Sequence, residues 1–189
     1  ASKLAHKSSA FGYPQLVLGM IAIFVYVGVE VSTISNLPAY LSLPVSEGGL
    51  GIETALIAPF VSLYWASLMI GRWAGAAGAF DVAKHTKWML TILLPYLAFG
   101  VFLAVNAFAN HEISHFFMYG FVIVLMIAAT FASRGNPARM LLYFAICGIA
   151  ALVIGMLTTG MTSVVAFISV GLFCSTMWPC IFTLAITGL

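Results

Sequence analysis

The sequence predicts an all-α, polytopic membrane bundle of about six transmembrane helices. Three observations carry that expectation. Of the 189 residues, 63% are hydrophobic, more apolar surface than a water-soluble globule of this size can hide. Lys, Arg, Asp and Glu together make up 6%, against about 25% in an ordinary soluble domain. The apolar residues also run continuously and are rich in Ala, Leu and Met, whereas the wall of a barrel alternates over about ten positions. The same composition excludes a nucleic-acid binder, a soluble enzyme and a disordered linker, each of which needs far more polar surface. A net charge of +2 is too small to name a partner.

Residues 1–14 are polar and basic, with Lys3 and Lys7, and read as a cytoplasmic loop. The apolar run that follows is too long for the h-region of a signal peptide. Six apolar segments come next, at about 15–43, 55–80, 88–108, 116–132, 140–157 and 164–189. As helices rising 1.5 Å per residue, each spans about 30 Å with some tilt. No connection is long enough to form a soluble domain.

Basic residues set the orientation, because short loops rich in Lys and Arg stay on the cytoplasmic side. Lys3 and Lys7 precede the first span, Lys84 and Lys87 follow the second, and Arg134 and Arg139 follow the fourth. The loops after spans one, three and five hold Glu47, Glu53, His111, Glu112 and His115 but no Lys or Arg, so they face outward. The seventh cation, Arg72, lies within span two toward its inner end. There it can snorkel or line a cavity.

Span one holds an acidic residue deep in an apolar run. At about 100° per residue, Tyr26, Glu30, Thr33, Asn36 and Tyr40 share a stripe of about 120°, with Ser32 and Ser35 beside it. A charge at mid-bilayer costs at least about 2.5 kcal/mol on insertion scales, so this face turns toward other helices or a watery cavity. Two readings follow: a substrate or ion pathway, or hydrogen bonds that fasten a bundle. Pro38 removes a backbone bond to the Ile34 carbonyl, so the helix is expected to bend or open there.

In span two, Ser67, Gly71, Gly75 and Ala79 recur every four residues, a stripe on which a second helix can pack closely. The Arg72 guanidinium, a planar fork of five donors, seeks a carboxylate, helix-end carbonyls or phosphate headgroups. It reads as an anchor or gate on the cytoplasmic side. In the last span Pro179 interrupts the helix and deprives the Ser175 carbonyl of its usual partner. Trp178 shares the face of Ser175. An indole beside hydroxyls suits a sugar ring, although an aromatic in a bundle equally serves packing.

His111-Glu112-Ile113-Ser114-His115 matches H-E-x-x-H, whose histidines can hold zinc from one helical face. An intramembrane zinc metalloprotease is therefore a rival class, but it needs a third protein ligand. No Asp or Glu follows Glu112, no His follows His115, and Asp81 lies on the opposite side. The plainer reading is a polar outer loop in which Asn110 caps the helix of span four. A non-transporting membrane scaffold is the third class. Cys147, Cys174 and Cys180 lie inside apolar runs without a C-x-x-C pair and read as small core residues. No covalent catalysis, metal or cofactor is implied.

Three stretches are similar to a known family: Tyr26-Val27-Gly28-Val29-Glu30-Val31-Ser32, then Leu63-Tyr64-Trp65 through Ile70-Gly71-Arg72, then Met177-Trp178-Pro179-Cys180-Ile181-Phe182-Thr183 and on to Leu189. In this order they resemble the C-terminal half of a sugar:proton symporter of the major facilitator superfamily, in the fucose permease and glucose/galactose transporter group. The resemblance implies proton-coupled uptake of a monosaccharide of the fucose, glucose or galactose type by alternating access. It also implies a multi-pass protein of the bacterial inner membrane with a cytoplasmic N-terminus, working with an N-terminal half that these residues do not include. That family places one helix between the G-R helix and the W/F-P-x-I-F helix. Here there are three, an insertion of two that preserves topology. Substrate-cavity roles then fall to Glu30, Thr33, Asn36 and Trp178, followed by Tyr26 and Ser175. The main proton-coupling carboxylates are implied to lie in the other half, which leaves Glu30 to contact sugar hydroxyls, while its apolar surroundings also suit it to proton exchange.

Overall fold

A computed structural model describes residues 10–76 and 82–187. Seven α-helices follow in order: α1 Pro14–Ser42, α2 Ala58–Ala76, α3 Lys84–Phe108, α4 Tyr119–Ser133, α5 Pro137–Leu157, α6 Gly160–Cys174 and α7 Met177–Ile186. No strand occurs among the described residues. Counting the short 3₁₀ turns that lead into α2 and α4, and taking α6 with α7, six helical segments are long and apolar enough to cross a membrane. They overlap the six apolar runs of the sequence, whose expected ends at 77–80 and 188–189 lie outside the described residues. Lys3, Lys7, Ala79, Asp81 and the last two residues lie outside the described part.

Local chemistry accounts for the helix ends. α1 and α5 each begin with proline in the first turn, where the missing N–H is no loss. Asn136 caps α5 by accepting from the Arg139 N–H at 3.1 Å. α1 stops at Ser42, just before Leu43-Pro44, because a residue preceding proline disfavours the helical region. Asn110 does not cap the helix of span four: it follows the end of α3 in the left-handed region, at φ 59°, which asparagine tolerates better than most residues. Nor does Pro38 open α1, which runs unbroken through it.

In a bilayer, apolar attraction between helices is weak, so close backbone approach and interhelical hydrogen bonds of about 0.6 kcal/mol each hold the bundle. α6 is the hub, packing against α5, α2 and α1, and α7 packs against α1 and α5. The contacts close at glycines. A methyl group on Gly19 would sit 2.6 Å from the Ala185 side chain, and one on Gly155 would sit 2.7 Å from the Phe167 ring. Tyr119 Oη donates to Ser67 Oγ at 2.7 Å and Tyr40 Oη donates to Ser163 Oγ at 2.8 Å. Both bonds join distant parts of the chain. Phe24, Phe108 and Leu157 stand exposed on the perimeter, where acyl chains would surround them.

Candidate functional site

The helix break is where the site begins. α6 ends at Cys174 and α7 starts at Met177, leaving Ser175 and Thr176 between them. Pro179 lacks the N–H that would reach the Ser175 carbonyl, so the chain takes a short turn rather than a continuous helix. Ser175 turns its hydroxyl back to the Leu172 carbonyl at 2.6 Å. α2 presses directly on this break: any Cβ on Gly71 would collide with Ser175 Oγ, and one on Gly75 would touch Thr176. The expected small-residue stripe is thus a packing surface at both of these positions.

Two turns along α2 from Gly71, Tyr64 is fully buried and donates from Oη to the Glu30 carbonyl at 2.9 Å. That bond fixes the middle of α1 against α2. The Glu30 side chain is half-buried, and its Oε2 is enclosed without a hydrogen-bond partner. Tyr26 is buried one turn away on the same helix. Arg72 acts electrostatically on both Glu30 and Tyr26 but closes no ion pair with the carboxylate. Tyr26, Glu30, Tyr64 and Arg72 therefore form one cluster between α1 and α2.

Arg72 also joins this cluster to a cavity of about 1310 Å³, which Ser175 and Trp178 line as well. Trp178 is 49% exposed and stacks on Phe182, with ring centroids 5.4 Å apart. Thr33 and Asn36 lie apart from these groups. Thr33 Oγ1 donates to the Val29 carbonyl at 2.7 Å, and Asn36 Nδ2 donates to the Ser32 carbonyl at 2.8 Å. Asn36, Ser32 and Ser35 are exposed. The polar stripe of α1 is thus divided: Tyr26 and Glu30 turn into the bundle, and Asn36 turns out of it.

Comparison with known proteins bears on this arrangement. Proteins described as glucose/galactose transporter in Brucella abortus biovar 1 (strain 9-941) and in Brucella abortus (strain 2308) are each 32% identical over 183 residues, covering 97% of this chain. The chain is homologous to a segment of a glucose/galactose transporter. It spans 31% of the length of these curated relatives. No protein-family model matches the chain, and no solved structure does.

In this transporter-like segment the H-E-x-x-H match falls in a loop and a 3₁₀ turn, Ser114–Phe116, not on an α-helix. His111 pairs with Asn106 at 3.1 Å, while Glu112 accepts from Ser114 at 2.7 Å and lies 3.7 Å from His115. The two histidines do not share one helical face. The names of the relatives agree with a non-enzymatic chain. Sequence reasoning overlooked Tyr64 as a site residue, although it stands in the quoted Leu63-Tyr64-Trp65 stretch, seven residues before Gly71 and so on the same packing face. It also overlooked Lys84, Arg134 and Thr176 as cavity walls, since only tertiary packing brings α3, α4 and α7 together.

Proposed function

We propose that this segment contributes to the translocation pathway of a proton-coupled sugar carrier of the major facilitator superfamily. The substrate class is a monosaccharide of the fucose, glucose or galactose type, moved by alternating access. The observation that carries the reading is the enclosed Glu30 carboxylate, with one oxygen unpaired, beside Tyr26 and Arg72 in a chain homologous to a sugar transporter. An intramembrane carboxylate is costly unless a pathway or partner uses it. The homology points to sugar, and the unpaired oxygen points to an exchangeable proton or a sugar hydroxyl.

Glu30 and Tyr26 lie behind the cavity, outside its lining, Ser175 and Trp178 offer a hydroxyl and an exposed stacking face within it, and Arg72 serves as the cytoplasmic-side gate or anchor. Thr33 and Asn36 contribute where a second helical unit, the N-terminal half, covers the exposed flank of α1. Lys84, Arg134 and Arg139 support a cytoplasmic placement of their loops, with the N-terminus on the same side of the inner membrane. No cofactor takes part.

The test is counterflow and pH-driven uptake of labelled glucose, galactose and fucose by vesicles containing the full-length protein. Glu30→Gln is expected to lower pH-driven uptake at least about tenfold, or about 1.4 kcal/mol of barrier. If it carries the proton, counterflow persists in the variant; if it contacts the sugar, counterflow falls too. Unchanged uptake with unchanged pH dependence removes Glu30 from the mechanism, and no exchange of any sugar refutes the carrier reading itself.

A further inference from the structure

A hexose is uncharged, and the positive-inside rule accounts for Lys84 and Arg134 lying on the cytoplasmic side but not for their lining one cavity with Arg72. Arg72, Lys84 and Arg134 all line it, and among the described residues no Asp or Glu does. Three helices also begin at its wall: α3 at Lys84, α5 at Pro137, and α7 at Met177, directly after Thr176. Helix N-termini carry the positive end of the helix dipole, although Pro137 and Pro179 have no N–H to offer and the Arg139 N–H is already taken by Asn136. Lys84, at an exposed position, holds its ammonium 5.5 Å from the centroid of the ring of Trp88, another wall residue.

The hydroxyls discriminate further. Thr130 and Ser133, also at the wall, already donate to carbonyls of their own helix at 2.9 and 2.6 Å. Thr176 does not: it is 4% exposed, makes no capping bond for α7, and its Oγ1 is buried without a partner. An unspent buried donor is destabilising unless something accepts from it. Three cations, convergent helix starts and one unspent hydroxyl all call for an anion rich in acceptor oxygens.

We propose that this cavity binds a phosphate group, with Lys84, Arg134 and Arg72 supplying charge and Thr176 donating a hydrogen bond once its enclosed Oγ1 turns toward the cavity. Apolar walls at Ile92, Phe131 and Met140 accommodate the acyl chains of a lipid whose headgroup sits among the cations. A soluble phosphate would use the same donors. This inference does not rest on the transport reading, and its test reads thermal stability instead of sugar flux, so the two can fail separately.

Full-length protein in detergent is titrated at constant ionic strength with dioctanoyl phosphatidylglycerol, with sodium phosphate, and with dioctanoylglycerol and sodium chloride as controls. Tm is expected to rise saturably with a phosphate source and not with the controls. A rise with the phospholipid alone assigns a lipid headgroup, and a rise with both assigns a site open to soluble phosphate. Lys84→Gln/Arg134→Gln, both at exposed positions, raises the half-saturating concentration at least about tenfold, since two of the three cations that face the anionic headgroup are lost. Thr176→Val, isosteric and lacking the unpaired hydroxyl, raises the unliganded Tm and weakens the same titration several-fold. The absence of a saturable rise with either source, or an equal response in the double variant and the wild type, overturns the proposal.

Discussion

Gly71 sits where α2 and the α6–α7 break have no room left. A methyl group there meets Ser175 Oγ and lies 2.6 Å from Ser175 Cβ and 3.1 Å from the Leu172 carbonyl oxygen. Rotation of the serine relieves the first contact but neither of the others. Gly71→Ala is therefore expected to destabilise the protein by about 1–3 kcal/mol, the usual penalty of overpacking. Ser175→Gly removes both the Oγ and the Cβ, so the double variant recovers part of the loss. Thermal melts of the four proteins of that cycle measure the coupling, and additive effects would show that the two residues do not meet. Glu30, Tyr26, Ser175 and Trp178 were legible as site candidates because an acid or a broken helix in an apolar run stands out by residue type. The roles of Thr33 and Asn36 were not, since both can satisfy themselves on the carbonyl one turn back, and periodicity does not register that choice. The isolation of the Thr176 hydroxyl depends wholly on its neighbours.

Two prolines inside apolar runs have opposite outcomes. α1 carries Pro38 without a break, whereas the last span divides two residues after Cys174, ahead of Pro179. Sequence supplies the missing N–H in both cases but not the packing that decides between a continuous helix and a break. At the second proline, Gly71 and Gly75 bring α2 onto the interrupted turn, and the turn is stabilised from outside. Pro179→Ala restores a donor for the Ser175 carbonyl and is expected to raise Tm and, on the proposed carrier reading, to slow sugar uptake. A variant that melts higher yet transports at the parental rate would separate the break from turnover. The remaining helices were legible as continuous hydrophobic lengths, with errors confined to caps such as Asn110, whose left-handed geometry suits the end of α3 as readily as its side chain would suit the start of α4.

The enclosure of the spans differs widely, from α1, the least buried, to the α6–α7 span, the most buried. The number of spans was readable from hydropathy, but their neighbours were not: α2 packs on both α3 and α6, an arrangement that no local pattern specifies. Orientation is directly testable. In a background without Cys147, Cys174 and Cys180, a single cysteine at Glu112 is expected to react with a membrane-impermeant maleimide from outside intact cells, and one at Lys87 only after permeabilisation. The reverse pattern would invert the topology and move Lys84 and Arg134 to the outer face. The foot of α1 and α7 are interlocked at Gly19 and Ala185, while α7 connects to α6 only through Ser175 and Thr176. With a swivel at one end and a clasp at the other, α7 behaves as a crank: if it tilts about those two residues, it drags the lower part of α1 along, and α6 can stay still.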